Sequence, residues 1–292
     1  MKVVSVAEQG QAAAAEPIVA TRHGRYRSII KAFLRIDIID DISYPLPFLI
    51  QQLTVLIPIV STFFIGQLAD GSPRSADFGG DYFTFALVGL SSVAVMQGAL
   101  SGFGVALQRA QERGNLETLF VEPVPWAGLP YLMNIWRALL AVVNGAVLLG
   151  LGWLLGAEYR ASGFPAFASL LLLGVLSSQA VGVVASAFLI LAKKSRPLVL
   201  LYGLAASIFA GSVFSVSQLP PWLQVFSWAV PHTYVVNAAR AQLMVEPTTF
   251  TIPYTTALIY LVAFNAIVLG LGTWMFHRSV QYARKMGMLS GY

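Results

Sequence analysis

The sequence predicts an all-α polytopic membrane protein with six transmembrane helices, an N-terminal interfacial helix and a re-entrant outer segment before the last span. Hydrophobic residues make up 57% of the 292-residue chain and charged residues only 11%. Soluble domains carry about 25% charged residues, so this chain has too little charge to cover a water-exposed surface. Long stretches without Asp, Glu, Lys or Arg support the same fold class.

Six stretches are long enough to cross a bilayer, which takes about 20 apolar residues in a helix. We expect spans at about residues 44–69, 82–108, 130–157, 164–192, 197–216 and 254–277. Together they form a transmembrane domain over residues 44–280, followed by a cytoplasmic tail at 281–292. Residues 1–24 are predicted to be a disordered cytoplasmic N-terminus.

Residues 25–43 show the pattern of an amphipathic helix on the membrane surface. Ile30 and Phe33 recur at helical spacing, while Lys31 and Arg35 fall mainly on the other side. This arrangement is typical of an interfacial helix that lies on the inner leaflet. An ordinary juxtamembrane linker is the alternative.

The apolar stretch over residues 197–239 is too long for one helix. Pro220 and Pro221 break it after the fifth span, and Pro231 breaks it again. The part after Pro221 is short and contains polar residues. Either it crosses the membrane and gives seven spans, or it dips in and returns, which leaves six.

The distribution of basic residues favours six spans. With six, most Lys and Arg lie in the N-terminus, the loop at 109–128, the turn at 193–196 and the C-terminus. The outer loops then hold only Arg74, Arg160 and Arg240. This agrees with the positive-inside rule, whereas a seventh crossing would place the basic C-terminus outside. Both termini are therefore predicted to be cytoplasmic.

Several kinds of chemistry find no support in the sequence. The chain has no cysteine and no Walker A loop, so disulfides, thiolate chemistry and this mode of ATP binding are excluded. Asp37, Asp40 and Asp41 form an acidic cluster, but a metal–diphosphate site would need a second one. We therefore expect no metal site. We also expect no nucleic-acid partner, because no sizeable soluble basic face is predicted.

The predicted spans carry few polar residues and no charge at their centres. Gln97, Asn144, Gln179 and Asn265 are expected to form hydrogen bonds between helices. Glycine pairs suit close helix packing: Gly98 with Gly102, and Gly152 with Gly156. The lack of intramembrane charge argues against a proton-coupled transporter.

The loop after the second span is short, charged and ends on prolines. Its run from Glu112 to Glu117, followed by Val121-Glu122-Pro123-Val124, resembles the cytoplasmic loop of type-2 ABC exporter permeases. Asn115 stands where that family usually has Thr. Leu219-Pro220-Pro221-Trp222, then Pro231-x-Thr-Tyr and Arg240, resembles the family's outer re-entrant segment. The resemblance covers about residues 25–280.

The resemblance implies a permease subunit of an ATP-driven exporter in the inner cell membrane. Such a permease pairs with a second copy or a homologue in the lipid bilayer and is coupled to separate ABC ATPase subunits. No cofactor is expected in this chain, because ATP and Mg²⁺ would bind the partner ATPase. The substrate would be a hydrophobic or amphipathic small molecule, a lipid or a glycan.

The resemblance also implies two sets of functional residues. ATPase contact is expected at Glu112, Arg113, Gly114, Asn115, Leu116 and Glu117, for which the alternative is a solvated loop. The outer re-entrant pathway is expected at Pro220, Pro221, Trp222, Phe226, Trp228, Pro231, His232, Tyr234 and Arg240. For the aromatic members, anchoring at the membrane surface is the alternative. Two other functions remain open at this point: an intramembrane enzyme of lipid metabolism, and an ATP-independent channel or scaffold.

Overall fold

The computed structural model describes residues 22–43, 45–54, 56–69, 75–112, 128–192, 196–246 and 248–286. Regular structure in these ranges is helical throughout. The helices are α1 Arg22–Ser43, α2 Pro45–Leu53, α3 Leu56–Ala69, α4 Tyr82–Glu112, α5 Leu129–Leu132, α6 Ile135–Leu154, α7 Phe164–Ala192, α8 Arg196–Phe209, α9 Pro221–Ala229, α10 Pro231–Leu243 and α11 Tyr254–Lys285. Three short 3₁₀ turns lie at Ser75–Phe78, Ala161–Gly163 and Val216–Gln218.

Helix α4 is the centre of the bundle. It packs against α3, α6, α7, α8 and α10, and its Leu87, Val95 and Met96 are fully buried. Close packing, predicted for Gly98 and Gly102, is present: the first lies against Ala141 of α6, and the second lies against Asn134 at the start of α6. Small residues on α4 therefore let neighbouring backbones approach closely.

Polar side chains connect the other helices to this centre. The Nδ2 of Asn265 on α11 donates to the Oγ of Ser177 on α7 at 3.0 Å. The Nε2 of Gln97 on α4 donates to the carbonyl of Gly203 on α8 at 2.6 Å. Both residues thus form the interhelical hydrogen bonds expected of them.

Four helices in the described ranges are long and apolar enough to cross a membrane, at Tyr82–Ala106, Pro130–Leu154, Ala161–Phe188 and Tyr254–Ala283. Two shorter apolar helices lie at Leu56–Ala69 and Val199–Phe209. The predicted class, an all-α polytopic membrane protein, is confirmed. The number of six crossings stays a prediction.

The first predicted span, residues 44–69, is not one continuous helix. Helix α2 ends at Leu53 and α3 begins at Leu56. The cause is Pro58, which has no N–H to donate to the carbonyl of Thr54 and whose ring crowds that carbonyl. Hydropathy alone therefore predicts one continuous helix here, whereas the proline divides the apolar stretch into two.

The fifth predicted span, residues 197–216, ends earlier than expected. Helix α8 stops at Phe209 and Gly211 has φ of +66°, in the left-handed region that glycine adopts at little cost. The helix has 14 residues, or about 21 Å at about 1.5 Å per residue. That is shorter than the hydrocarbon core, which is about 30 Å thick.

The terminal helices also differ from expectation. Helix α1 begins at Arg22, so residues 22–24 are helical rather than disordered. Residues 1–21 and 287–292 lie outside the described ranges. Helix α11 continues to Lys285, beyond the span end predicted at residue 277. The prediction stopped early because hydropathy marks where the apolar residues end, not where the helix ends. In α1, Ile36 and Ile39 are exposed while Asp41 is largely buried; that this helix lies on the membrane surface stays a prediction.

The segment from Val213 to Leu243 enters and leaves at the same end of the bundle. The hydroxyl of Tyr82, the first residue of α4, donates to the carbonyl of Val213 at 3.0 Å. The N–H of Arg160, in the α6–α7 connection, donates to the carbonyl of Leu243 at 2.7 Å. These two points adjoin, since the N–H of Glu158 donates to the Oγ1 of Thr84 at 3.2 Å. This path is the one that a re-entrant segment would take.

Candidate functional site

The end of α8 is held by side chains on one face of α10. Thr233, Asn237 and Arg240 are spaced four and three residues apart, so they line up along that helix. The Oγ1 of Thr233 donates to the carbonyl of Phe209 at 3.3 Å, and the Nδ2 of Asn237 donates to that of Ala210 at 3.2 Å. The last carbonyls of a helix have no partner within it, so α10 supplies the missing donors for α8.

Arg240 completes this cap from inside the protein. Its Nη1 donates to the carbonyl of Gly211 at 2.8 Å, and its Nη2 donates to that of Ser212 at 2.7 Å. Its Nε donates to the carbonyl of Phe85 on α4 at 3.1 Å, and the guanidinium lies 3.5 Å from the centre of the Phe85 ring. Arg240 therefore joins α10, the turn after α8 and the start of α4.

Among the residues that the structure describes, no carboxylate contacts Arg240, so its charge is stabilised in another way. Its side chain is 1% exposed, and burying a cation is costly unless it is hydrogen-bonded. The carbonyls at the C-terminus of a helix carry partial negative charge, which here faces the guanidinium. A Cβ on Gly89 would overlap the Ser212 carbonyl oxygen and meet the guanidinium, so glycine at 89 leaves the room that this contact needs.

The sequence predicts an outer position for Arg240, and the structure adds that its side chain is fully buried in the protein. The reason is local: α10 lies among α4, α7, α8 and α11, so even its charged residue points into the protein. Arg240 is a structural clamp in this arrangement.

The aromatic residues of the predicted outer pathway divide into two groups. Trp222, Phe226 and Trp228 on α9 are exposed by 66%, 54% and 45%, whereas His232 and Tyr234 on α10 are buried. Pro220 precedes α9 and accepts hydrogen bonds from Leu223 and Gln224, while Pro221 and Pro231 occupy the first positions of α9 and α10. The exposed group is available to a lipid, a substrate or another subunit.

The buried group packs against the first part of α11. The Tyr234 ring stacks on that of Tyr260 with centroids 3.7 Å apart, and its hydroxyl donates to the carbonyl of Trp228 at 3.1 Å. The hydroxyl of Tyr260 donates to the carbonyl of Ala229 at 2.9 Å. The imidazole of His232 lies 6.0 Å from the ring of Tyr202 on α8. These contacts fix the α9–α10 corner between α8 and α11.

The first of the predicted ATPase-coupling residues, Glu112, lies at the opposite end of α4. Glu112 is the last residue of that helix, and the residues from Arg113 to Glu117 lie outside the described ranges. Helix α4 has 31 residues, or about 46 Å of continuous helix at about 1.5 Å per residue. One helix therefore runs from the predicted coupling loop to the Arg240 clamp.

Helix α1 is fixed to the same end of the bundle. A carboxylate oxygen of Asp41 lies 3.1 Å from the Nη2 of Arg137, and the Nε1 of Trp136 donates to the other oxygen at 2.8 Å. The ring of Phe33 packs into a cluster that includes Phe103 and Phe276. Asp41, a member of the acidic cluster seen in the sequence, is thus a link between α1 and the start of α6.

Sequence reasoning missed Thr233 and Asn237 as cap residues, although their spacing relative to Arg240 was visible. It also missed the pairing of Asp41 with Arg137, because the two are far apart in sequence. In the described part of the chain, no group of three His, Asp or Glu side chains comes together as a metal site would require.

A family model described as "ABC-2 type transporter" matches residues 44–244. The chain belongs to the ABC-2 type transporter family. The match covers more than half of the chain and includes both α4 and the α8–α10 region. No curated protein matches the chain at a significant level.

Membership of the ABC-2 family identifies the chain as a multi-pass transporter permease, the membrane subunit of an ABC transporter. Permeases of this family usually work with an ATP-binding subunit. The resemblance found in the 112–124 and 219–240 segments is therefore confirmed at the level of the family.

Proposed function

We propose that this ABC-2 permease is the transmembrane half of an ATP-driven exporter. It pairs with a second copy or a homologous permease, and separate ABC ATPase subunits bind ATP and Mg²⁺. The observation that carries this proposal is the family match over residues 44–244 in a chain whose 292 residues contain no Walker A loop. The cargo is a hydrophobic or amphipathic small molecule, a lipid or a glycan.

The proposed orientation places both termini in the cytoplasm of a cell whose inner membrane holds the protein. The chain then crosses six times, and the segment from Val213 to Leu243 dips in from outside. Supporting this orientation, the contacts of Tyr82 and Arg160 bring both ends of that segment to one end of the bundle. The basic residues concentrate in sequence segments that are predicted to lie at the other end.

Coupling to ATP in this proposal travels along α4. ATPase closure would act on the loop that follows Glu112, at one end of the helix. At the other end, the Phe85 carbonyl is bonded to Arg240, and midway the side chain of Gln97 is bonded to the backbone of α8. A movement of α4 would therefore shift α8 and α10 together. The Asp41–Arg137 pair would link α1 to α6, which packs against α4.

The pairing surface in this proposal is the exposed face of α8 and α9. Leu200, Leu201, Leu204 and Ile208 are each more than half exposed, and Trp222 extends the apolar surface. This face adjoins the Arg240 clamp, so a pathway between two permeases would be bordered by the elements that α4 moves. Substrate would pass outward along that border.

Charge reversal in the coupling loop tests the proposal directly. We expect Glu117→Lys to weaken co-purification with the cognate ABC ATPase by about tenfold or more. The change replaces a negative side chain by a positive one, which would then face the positive groups of the ATPase that Glu117 is proposed to contact. Glu158→Lys is the matched control, since Glu158 is exposed at the far end of the bundle and should leave association unchanged.

Two results of this experiment would count against the proposal. If wild-type protein in nanodiscs associates with no ABC ATPase encoded in the same genome, the exporter function is wrong. If Glu117→Lys and Glu158→Lys bind the ATPase equally well, the function stands but the coupling residues are misassigned.

A further inference from the structure

A groove with the dimensions of a helix lies between α6 and α7. Both helices pack against α4, whose Ser91 and Val95 form the floor of the groove. It extends along α6 from Ile135 to Trp153, or about 27 Å at about 1.5 Å per residue. The open space within it is about 2070 Å³. A straight helix of that length and about 10 Å diameter occupies about 2,100 Å³, so the groove has room for one.

The walls of the groove allow another helix to approach closely. Ala146 and Gly150 are four residues apart on α6, and both are exposed and line the groove. Small residues at this spacing let the backbones of two membrane helices come together. Leu139 and Leu172, on opposite walls, are 50% and 63% exposed. They supply apolar surface on either side of an incoming helix.

Gln179 adds a polar group to this apolar lining. Its side chain lines the groove, is 8% exposed, and forms no hydrogen bond with any described residue. It lies about 7 Å along α7 from the middle of the apolar span Ala161–Phe188. Half of the hydrocarbon core is about 15 Å thick, so Gln179 lies inside it. An unbonded amide at that depth is costly.

The depth of Gln179 favours a helix over a lipid as the occupant. Acyl chains carry no hydrogen-bonding group within the hydrocarbon, and the ester carbonyls lie about 8 Å further out. A membrane helix can carry a polar side chain at any depth, and such side chains form hydrogen bonds across helix contacts. A polypeptide therefore meets both requirements of the groove, the small-residue wall and the amide.

A second copy of the chain does not meet them. Two copies related by a two-fold axis along the membrane normal place the same residue at the same depth. Of the two walls, α6 projects further, since 33% of its apolar span is buried against 56% for α7. At the depth of Gln179, the groove face of α6 carries Ala138 and Leu139, which are apolar. A second copy that docks through α6 would leave the Gln179 amide unbonded.

We propose that the α6–α7 groove binds a transmembrane helix of a different polypeptide, an accessory membrane subunit. That helix has small residues where it crosses Ala146 and Gly150. At the depth of Gln179 it carries an Asn, Gln, Ser or Thr side chain that bonds to the Gln179 amide. No described residue of α8 or α9 lines the groove, so this site is separate from the proposed pairing surface. It does not depend on the exporter function.

A designed helix tests the proposal. The probe is a synthetic peptide of about 22 residues, made of Leu and Ala with Lys at both ends, and its Ala residues form one face at four-residue spacing. An Asn lies about five residues to each side of the centre, so that either orientation in the bilayer brings one Asn to the depth of Gln179. The matched control peptide has Leu in place of both Asn residues.

Binding is measured by energy transfer in phosphatidylcholine liposomes. The chain contains no cysteine, so Glu158→Cys in the full-length protein carries the donor dye at the α6–α7 connection, and the peptide carries the acceptor. We expect the Asn peptide to bind about three- to tenfold more tightly than the Leu peptide, because hydrogen bonds between membrane helices contribute on this scale. Gln179→Leu should remove that difference.

Matched glycine substitutions locate the site. A Cβ on Gly150 meets no atom within 4 Å, and neither does one on Gly270 of α11, so phenylalanine can be placed at either position without a clash at its Cβ. Gly150→Phe should weaken binding of the Asn peptide by about tenfold, because its ring takes up room that the helix needs. Gly270→Phe should leave binding unchanged.

Three outcomes would overturn the proposal. Equal binding of the Asn and Leu peptides to the protein with Gln179 intact would mean that the amide selects no helix. Unchanged binding in Gly150→Phe would mean that the peptide lies elsewhere. Disulfide crosslinks between two copies through Gly150→Cys in cell membranes would mean that a second copy covers the groove.

Discussion

Arg240 shows how a single buried cation can shape a membrane protein. It donates to carbonyls of α4 and of the turn after α8, and its partners in the described part of the chain include no carboxylate. Buried salt bridges often give little net stability because both charges lose their hydration. Here the negative partner is the end of a helix, which must find donors in any case. One side chain thus satisfies several backbone groups at once.

Replacing Arg240 should destabilise the fold strongly. Arg240→Met leaves the carbonyls of Phe85, Gly211 and Ser212 without their donors, and each unsatisfied buried group costs about 1–3 kcal/mol. We expect a loss of about 3 kcal/mol or more in the free energy of unfolding, seen as a decrease in Tm of about 6–12 °C in detergent.

The control for this prediction is a second arginine. Arg160 is exposed and its Nη2 donates to the carbonyl of Val245, so Arg160→Met should change Tm by no more than about 2 °C. Arg240→Lys should be intermediate, because lysine keeps the charge but cannot donate in several fixed directions. Equal Tm values for Arg240→Met and Arg160→Met would refute the clamp.

The sequence identified some of these residues but not their arrangement. The motif resemblance pointed to Pro231, His232, Tyr234 and Arg240, and all of them lie in one helix of the predicted region. It could not separate exposed Trp222 from buried Tyr234, because burial depends on which face of each short helix meets α8 and α11. Long-range pairs such as Asp41 with Arg137 are invisible without the fold.

At the scale of elements, the contact between α4 and α6 depends on Gly102. A Cβ there would overlap the Oδ1 of Asn134, whose Nδ2 donates to the carbonyl of Ala99 at 2.6 Å. Gly102→Ala should therefore destabilise the protein by about 1–3 kcal/mol through overpacking, measured as a decrease in Tm in detergent.

Gly104, two residues further along α4, provides the comparison. Its nearest neighbour would be the Oγ of Ser186 at 3.8 Å, an ordinary contact. Gly104→Ala should be neutral or stabilise the helix by about 0.5–1 kcal/mol. A similar loss of Tm in both variants would show that the backbone, not the Asn134 contact, is responsible.

Helix boundaries were predictable where hydropathy alone sets them. The fourth span was expected at 164–192 and α7 is Phe164–Ala192, because turn residues and charges flank an uninterrupted apolar run. The first and fifth spans were not predicted correctly. In the first span, Pro58 interrupts the helix within an apolar stretch. In the fifth, the helix ends where side chains of α10 donate hydrogen bonds to its last carbonyls, although the apolar pattern continues.

At the scale of the whole molecule, the chain suits a labelling test of its orientation because it contains no cysteine. Glu158→Cys lies in the exposed α6–α7 connection and Arg284→Cys lies near the end of α11. With six crossings, a membrane-impermeant maleimide added to intact cells should label position 158 and not position 284. Permeabilised cells, in which both should react, are the control. Labelling of position 284 from outside would rule out six crossings.

The buried position of Arg240 also bears on how the protein is made. Burying a cation is costly unless it is hydrogen-bonded, and among the described residues the guanidinium of Arg240 donates to groups at residues 85, 211, 212 and 237. All of these precede Arg240 in the chain. The ribosome has therefore already released every partner when α10 emerges, so this hairpin can dock during synthesis, before α11 is inserted.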